Sequence, residues 1–199
     1  MKSPYTKMHP YKWSHVTRKL IDEHPLQMDK IVDIVLTSWE SIFSSNLGTK
    51  GFKIGVNIFP KPQIMGFLLH ELIPLELSVR HPKSWRTEET SEDKDIVFIP
   101  DDRFSIELKT SSSPRRIFGN RSYAQDSTRR KKAKTGYYLA INFHKFIEKK
   151  TRPKIKLIRF GWIDSTDWIG QKAATGQQSR LPTEVENSKL LEIYPSKFK

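Results

Sequence analysis

DIVFIPDDRFSIELKTSSS, residues 95 to 113, is the stretch on which the reading of this chain turns. Two short apolar runs, DIVFIP and RFSIELK, flank a turn at Pro100, Asp101 and Asp102, the pattern of a β-hairpin. A strand alternates its faces with a period of two, so Glu107 and Lys109 project to one side while Leu108 points to the other. Asp95 opens the first strand, and pairing about the turn brings its carboxylate near Glu107. Three charged groups then converge at one sheet edge.

Two neighbouring carboxylates repel each other, and a divalent cation removes that cost. Oxygen ligands with open positions suit a hard ion such as Mg2+, which keeps waters and accepts a phosphate oxygen. A lysine within reach orients or helps deprotonate an attacking water and offsets charge on a phosphorane-like transition state. The plain alternative is a solvated face with a weak ion pair. Against it stand the apolar residues flanking the charges and the loop rich in Ser, Arg, Asn and Gln that follows at once.

Working outward, MDKIVDIVLTSWESIF places Ile31, Ile34, Val35, Ser38, Trp39, Ile42 and Phe43 on one helical stripe, with Asp29 as a cap and Gly48 past the end. The apolar segment from Pro60 to Pro82 is long enough for a buried helix, which Pro74 should kink or divide. SWRTEETSEDK, from Ser84, reads as a polar connection. NRSYAQDSTRRKKAK, from Asn120, reads as a helix ending in cations before Gly136. YYLAINF and KIKLIRFGWI are strands apolar enough for a sheet interior, and the tail from Gly170 reads as a loop followed by a short helix or strand. The order helix, helix, hairpin, helix, strand, strand gives an α/β fold, a central mixed sheet flanked by helices. A length of 199 residues suits one domain, with a helical part at 1–83, a core at 84–165 and a loop and tail at 166–199.

The chain carries 35 Lys and Arg against 22 Asp and Glu, a net charge of +13. Polyanions are the expected partners, duplex DNA first and a membrane surface second. No cysteine is present, which removes disulfides, thiolate nucleophiles and Cys-type zinc sites and fits a reducing cytoplasm. No apolar run is long enough to span a bilayer or to form the core of a signal peptide. His70-Glu71 begins like a zinc-protease motif, but Pro74 stands where its second His belongs. GTKG, residues 48 to 51, lacks the length and ending of a phosphate-binding loop.

Two surfaces have the polarity for base contact. The first is TSSSPRRIFGNRSYAQ, with Arg115, Arg116, Asn120, Arg121 and Gln125; arginine reads guanine and Asn or Gln reads adenine, while Ser111, Ser112 and Ser113 suit phosphates. The second is GQKAATGQQSR, with Gln171, Lys172, Gln177, Gln178, Ser179 and Arg180. The run Arg129, Arg130, Lys131, Lys132 and Lys134 either tracks a phosphate backbone or simply answers a helix dipole.

Asp95, then eleven residues, then Glu107-Leu108-Lys109 resembles the PD-(D/E)xK nuclease signature, with Lys94 where that family loosely keeps a proline. The wider context, HELIPLEL, KDIVFIPDDRFSIELKTSSS and IFGNRSYAQ, is similar to type II restriction endonucleases of the ScaI-like group, over roughly the whole chain. The resemblance implies that Asp95 and Glu107 ligate Mg2+, that the Leu108 carbonyl adds a ligand, and that Lys109 handles the attacking water. It also implies a helical Glu in the site, Glu71 or alternatively Glu76, and a homodimer cutting duplex DNA at a short specific sequence. The competing functions are a structure-directed nuclease of repair or recombination and a non-catalytic DNA-binding regulator.

Overall fold

The structure, a computed structural model, describes residues 2–124, 134–147, 151–171 and 176–195. In chain order its elements are α1 (Trp13–Asp22), α2 (Met28–Ser44), the short strands β1 (Asn46–Leu47) and β2 (Phe52–Lys53), α3 (Pro62–Arg80), β3 (Trp85–Thr87), β4 (Ile96–Phe98), β5 (Ile106–Ser111) and β6 (Phe118–Asn120). They continue as β7 (Gly136–Phe143), β8 (Ile155–Ile163), β9 (Ile169–Gly170), β10 (Gln178–Arg180), α4 (Thr183–Ser188) and β11 (Leu190–Tyr194). Six strands make one mixed sheet in the order β11-β8-β7-β5-β4-β3. β5 and β7 run parallel, and the other neighbours antiparallel. The expected mixed sheet flanked by helices is the architecture found.

β7 sits at the centre and is buried along its whole length. Its alternation divides the interior in two. Tyr137, Leu139, Ile141 and Phe143 join the larger core with α2 and α3. Tyr138 and Ala140 face a second core of Ile117, Ile163, Trp168, Leu181, Val185 and Leu190. Burial of each such Leu or Ile contributes about 1.5–3 kcal/mol. The stripe expected of α2 is buried residue for residue, although Asp29 lies in the first turn and Gln27 holds the cap position.

Four local expectations are corrected. α3 is not divided at Pro74: the stripe Met65, Leu69, Ile73 and Leu77 is buried on both sides of it, and that burial outweighs a proline cost of about 3 kcal/mol. α1 was not foreseen, because it buries just Thr17 and Ile21. The polar connection contains β3, whose Trp85 is driven into the core. The helix expected from Asn120 is replaced at its start by β6 and a single 3-10 turn, Arg121–Ala124, because the Arg121 amide donates to the Gln177 carbonyl at 2.8 Å. Residues 125–133 lie outside the described residues.

The β4–β5 hairpin is fastened at its turn. Asp101 accepts from the Arg103 amide at 3.1 Å and Asp102 from the Ser105 hydroxyl at 2.7 Å, so this acidic pair caps the connection. His24 Nδ1 accepts from the Leu26 amide at 3.1 Å, which leaves Nε2 to donate to the Phe104 carbonyl at 3.0 Å. Burial holds its pKa down at about 4, against an ordinary 6.5. The unfolded chain therefore takes up the proton first as pH falls. Stability is expected to be full above pH 6.5 and to fall by about 3 kcal/mol by pH 4. Denaturant titrations of the wild type and His24→Gln between pH 7 and 4 check this: an equal acid loss in both would refute the assignment.

Candidate active site

In the parallel register Glu107 lies beside Tyr138 and Lys109 beside Ala140. Both charged residues therefore project to the face of the second core, while Leu108 enters the first. Pairing about the turn was expected to bring Asp95 near Glu107; its Oδ2 accepts from the amide of the next residue, Leu108, at 2.6 Å. Lys109 Nζ donates to Glu107 Oε1 at 2.6 Å and to the Leu108 carbonyl at 3.0 Å. Glu107 is 2% exposed.

Tyr123 completes this cluster. Its hydroxyl donates to Glu107 Oε1, and its ring lies 4.8 Å from the Lys109 ammonium. Burial, then the Glu107 and Asp95 charges, push its pKa far above the ordinary range, so the phenol keeps its proton and remains a donor. α3 delivers His70, whose Nδ1 is 3.9 Å from Asp95 Oδ2. Gly66, one turn earlier, permits the approach: a Cβ there would stand 2.7 Å from Thr110 Oγ1 on β5. Lys94 is buried, its ammonium 5.5 Å from the Tyr138 ring.

These groups open into a cleft of about 580 Å³ lined by His70, Glu88, Asp95, Glu107, Lys109, Phe118, Asn120, Tyr123 and Lys134. A second cleft of about 830 Å³ shares His70, Glu88 and Phe118 and adds Glu71, Ser111, Ser112, Ser113 and Gln178. Glu71 thus borders the site, whereas Glu76 is bound to Arg80. No group of three or more Asp, Glu or His residues suited to a metal occurs among the described residues; the oxygen donors here are two carboxylates and a peptide carbonyl.

The two surfaces proposed for base contact are one structure. β6 from the first pairs antiparallel with β10 from the second, and β10 with β9. Asn120 and Arg180 are exposed, and Gln178 is exposed beside the second cleft. Ser179 is buried and donates to the Asn120 carbonyl at 2.9 Å. Arg121 donates to the Gly176 carbonyl at 3.3 Å, Gln171 receives the Gln178 amide at 3.4 Å, and Gln177 and Arg116 are exposed. Arg115 is engaged by Glu192 and Asn187 and lines neither cleft. Gln125, Arg129, Arg130, Lys131, Lys132 and Lys172 lie outside the described residues; Lys134 lines the first cleft.

The loop joining β5 to β6 is anchored from below. Asn142 donates to the Ser113 and Arg116 carbonyls, both at 3.1 Å. Arg159, fully buried on β8, donates to the Arg115 carbonyl and to Asn142, and Glu186 accepts from the Ile117 amide at 3.0 Å. Reasoning from sequence missed His70, Glu88, Tyr123 and this anchor. The available signal was Arg159 itself, a charge inside an otherwise apolar strand.

A family model described as ScaI restriction endonuclease matches residues 3–194. The chain is 54% identical over 194 residues to the type II restriction enzyme ScaI of Streptomyces caespitosus, covering 96% of this chain and 85% of that protein. No solved structure matches.

Proposed function

The chain belongs to the ScaI restriction endonuclease family, and from that premise we propose that it binds duplex DNA as a homodimer and uses Mg2+ held by Asp95, Glu107 and the Leu108 carbonyl. As a member it is a type II restriction endonuclease, a site-specific deoxyribonuclease. The observation that carries the catalytic assignment is that Asp95 accepts from the Leu108 amide while Lys109 Nζ bridges the Glu107 carboxylate and the Leu108 oxygen. The donor set fits the ion: all three ligands are hard oxygens, and two of them already converge on a cation, the lysine ammonium.

Bound there, Mg2+ supplies Lewis acidity, acidifying the attacking water and neutralising phosphate charge. The chain's own groups do the rest. Asp95 is tethered by the Leu108 amide and Glu107 by Tyr123 and Lys109, so neither carboxylate needs reorganising when the substrate arrives. Lys109 orients the water and holds a proton at Nζ, close to where negative charge grows on the phosphate oxygens. Glu71 is the helical carboxylate of the site, and Ser111, Ser112, Ser113 and Arg116 contact phosphates beside it.

Two strands require two such sites, which a two-fold dimer supplies. Supporting the dimer, α3 exposes Leu75 and Val79 on the turns that follow Glu71 and away from both clefts, apolar surface that a second copy can cover. No helix among the described residues is long and apolar enough to cross a membrane; with no cysteine in the chain, we place the enzyme in the cytoplasm.

The test is a gel of phage DNA incubated with purified protein, with Mg2+ and in parallel with EDTA. Discrete fragments in the Mg2+ lane alone are expected. A Mg2+-dependent smear would favour a structure-directed or nonspecific nuclease, and discrete fragments in both lanes would overturn the metal assignment.

A further inference from the structure

We propose that the outward face of the β6-β10-β9 sheet is the sequence-reading surface, and that Asn120 and Gln178 on it read adenine of an A·T pair in the major groove close to the scissile phosphate. The inference rests on the endonuclease reading and adds to it the residues that select the site and the base they select.

The register defines the face. Asn120 stands opposite Gln178, Gly119 opposite Ser179, and Phe118 opposite Arg180; Arg180 also stands opposite Ile169. With a period of two, Phe118, Asn120, Gln178, Arg180 and Ile169 share one side. All five are exposed, Phe118 by 38% and Ile169 by 47%. A face that existed merely to be solvated would not combine two large apolar side chains with two amides and a guanidinium.

The opposite side is seated without slack on the catalytic cluster. Gly119 and Ser179 are buried, and a Cβ at Gly119 would lie 2.9 Å from both Tyr123 Cγ and Ser179 Oγ. Tyr123 in turn donates to Glu107. The reading face is thus one ring away from the proposed metal ligand. It is also continuous with the clefts: Asn120 and Phe118 line the one holding Asp95, Glu107 and Lys109, and Phe118 and Gln178 line the one holding Ser111, Ser112 and Ser113. A duplex whose phosphate enters the catalytic cleft therefore meets this face next, and the net charge of +13 is complementary to it.

The side chains then specify the base. Directly opposed residues on an antiparallel pair stand about 4.5–5.5 Å apart at Cβ, which places the Asn120 and Gln178 amides side by side. A β-ribbon enters the major groove, where an Asn or Gln amide matches adenine N6 and N7 and an apolar side chain meets the thymine methyl group. Phe118 and Ile169 supply the apolar part, and Arg180 a contact to phosphate or guanine.

The experiment first reads the wild-type site by sequencing fragment ends, then repeats the reading for Asn120→Ala and Gln178→Ala on a randomised duplex library. Each variant is expected to cut the cognate site about tenfold or more slowly and to lose preference at an A·T position, with thermal stability unchanged. Replacing that adenine by 7-deazaadenine removes the N7 acceptor; it should slow the wild type about tenfold and the matching variant hardly at all. Unchanged preferences in both variants, a uniform slowing at every sequence, or loss of preference confined to a G·C pair would overturn the assignment. A wild type that leaves DNA intact with Mg2+ would overturn the endonuclease reading itself, a result distinguishable from these.

Discussion

Asp95→Ala and Lys109→Ala are each expected to slow cleavage of the cognate duplex by about a thousandfold or more, while most of the affinity for DNA survives. The magnitude follows from removing a preorganised charged group from a largely buried site: one such group is commonly worth 10²–10³-fold in rate, and Asp95 is in addition a proposed metal ligand. Affinity survives because phosphate contacts spread over Lys, Arg and Ser residues dominate it. Asp95→Asn sharpens the result, since an amide oxygen still accepts from the Leu108 amide yet carries no charge; its loss should approach that of alanine. Lys109→Ala removes the cation nearest a carboxylate that is 2% exposed, so melting curves must accompany its kinetics. Single-turnover cleavage and fluorescence anisotropy on the same duplex separate the two quantities. Retained cleavage by both alanine variants would sink the catalytic assignment, and loss of binding in proportion to rate would make these residues part of the DNA grip instead.

The charged strand β5 was legible because its pattern is local. Period-two alternation alone placed Glu107 and Lys109 together and Leu108 in the core, and pairing about the turn put Asp95 beside this segment, where it accepts from the Leu108 amide. α2 was legible for the same reason, its stripe being a property of seventeen consecutive residues. What the sequence concealed depends on long-range pairing. β6 and β10 lie some sixty residues apart and are each three residues long, too short for any periodicity, so two halves of one sheet read as two polar loops. Tyr123 carries no signal of its own, since its role exists only because Gly119 lets β6 close over its ring. His70 was weighed against a zinc motif and dismissed, yet α3 continues through Pro74 and brings it to Asp95 from the helix side.

Arg159 carries the second large effect, this time on stability. It is fully buried, its Nη1 is 3.8 Å from Glu186 Oε2, and burial holds its pKa down at about 10. An ion so placed contributes little net stability, but deleting one partner strands the other: breaking a buried pair costs about 3–5 kcal/mol. Arg159→Leu is expected to lose that amount, a fall of roughly 6–20 °C in Tm for a chain of this length. Arg159→Leu combined with Glu186→Gln should recover a substantial part, because the stranded charge is gone while the Gln side-chain oxygen still accepts from the Ile117 amide. Equal melting points for the single and double variants would show the two charges to be uncoupled. The same single variant should also slow cleavage beyond what its stability explains, since Arg159 and Asn142 together hold the Ser113, Arg115 and Arg116 carbonyls. That backbone leads from β5 to β6, so a slack anchor would displace the proposed phosphate contacts and reading face together, while Asp95, just before β4, and Glu107 and Lys109 on β5 stay in place.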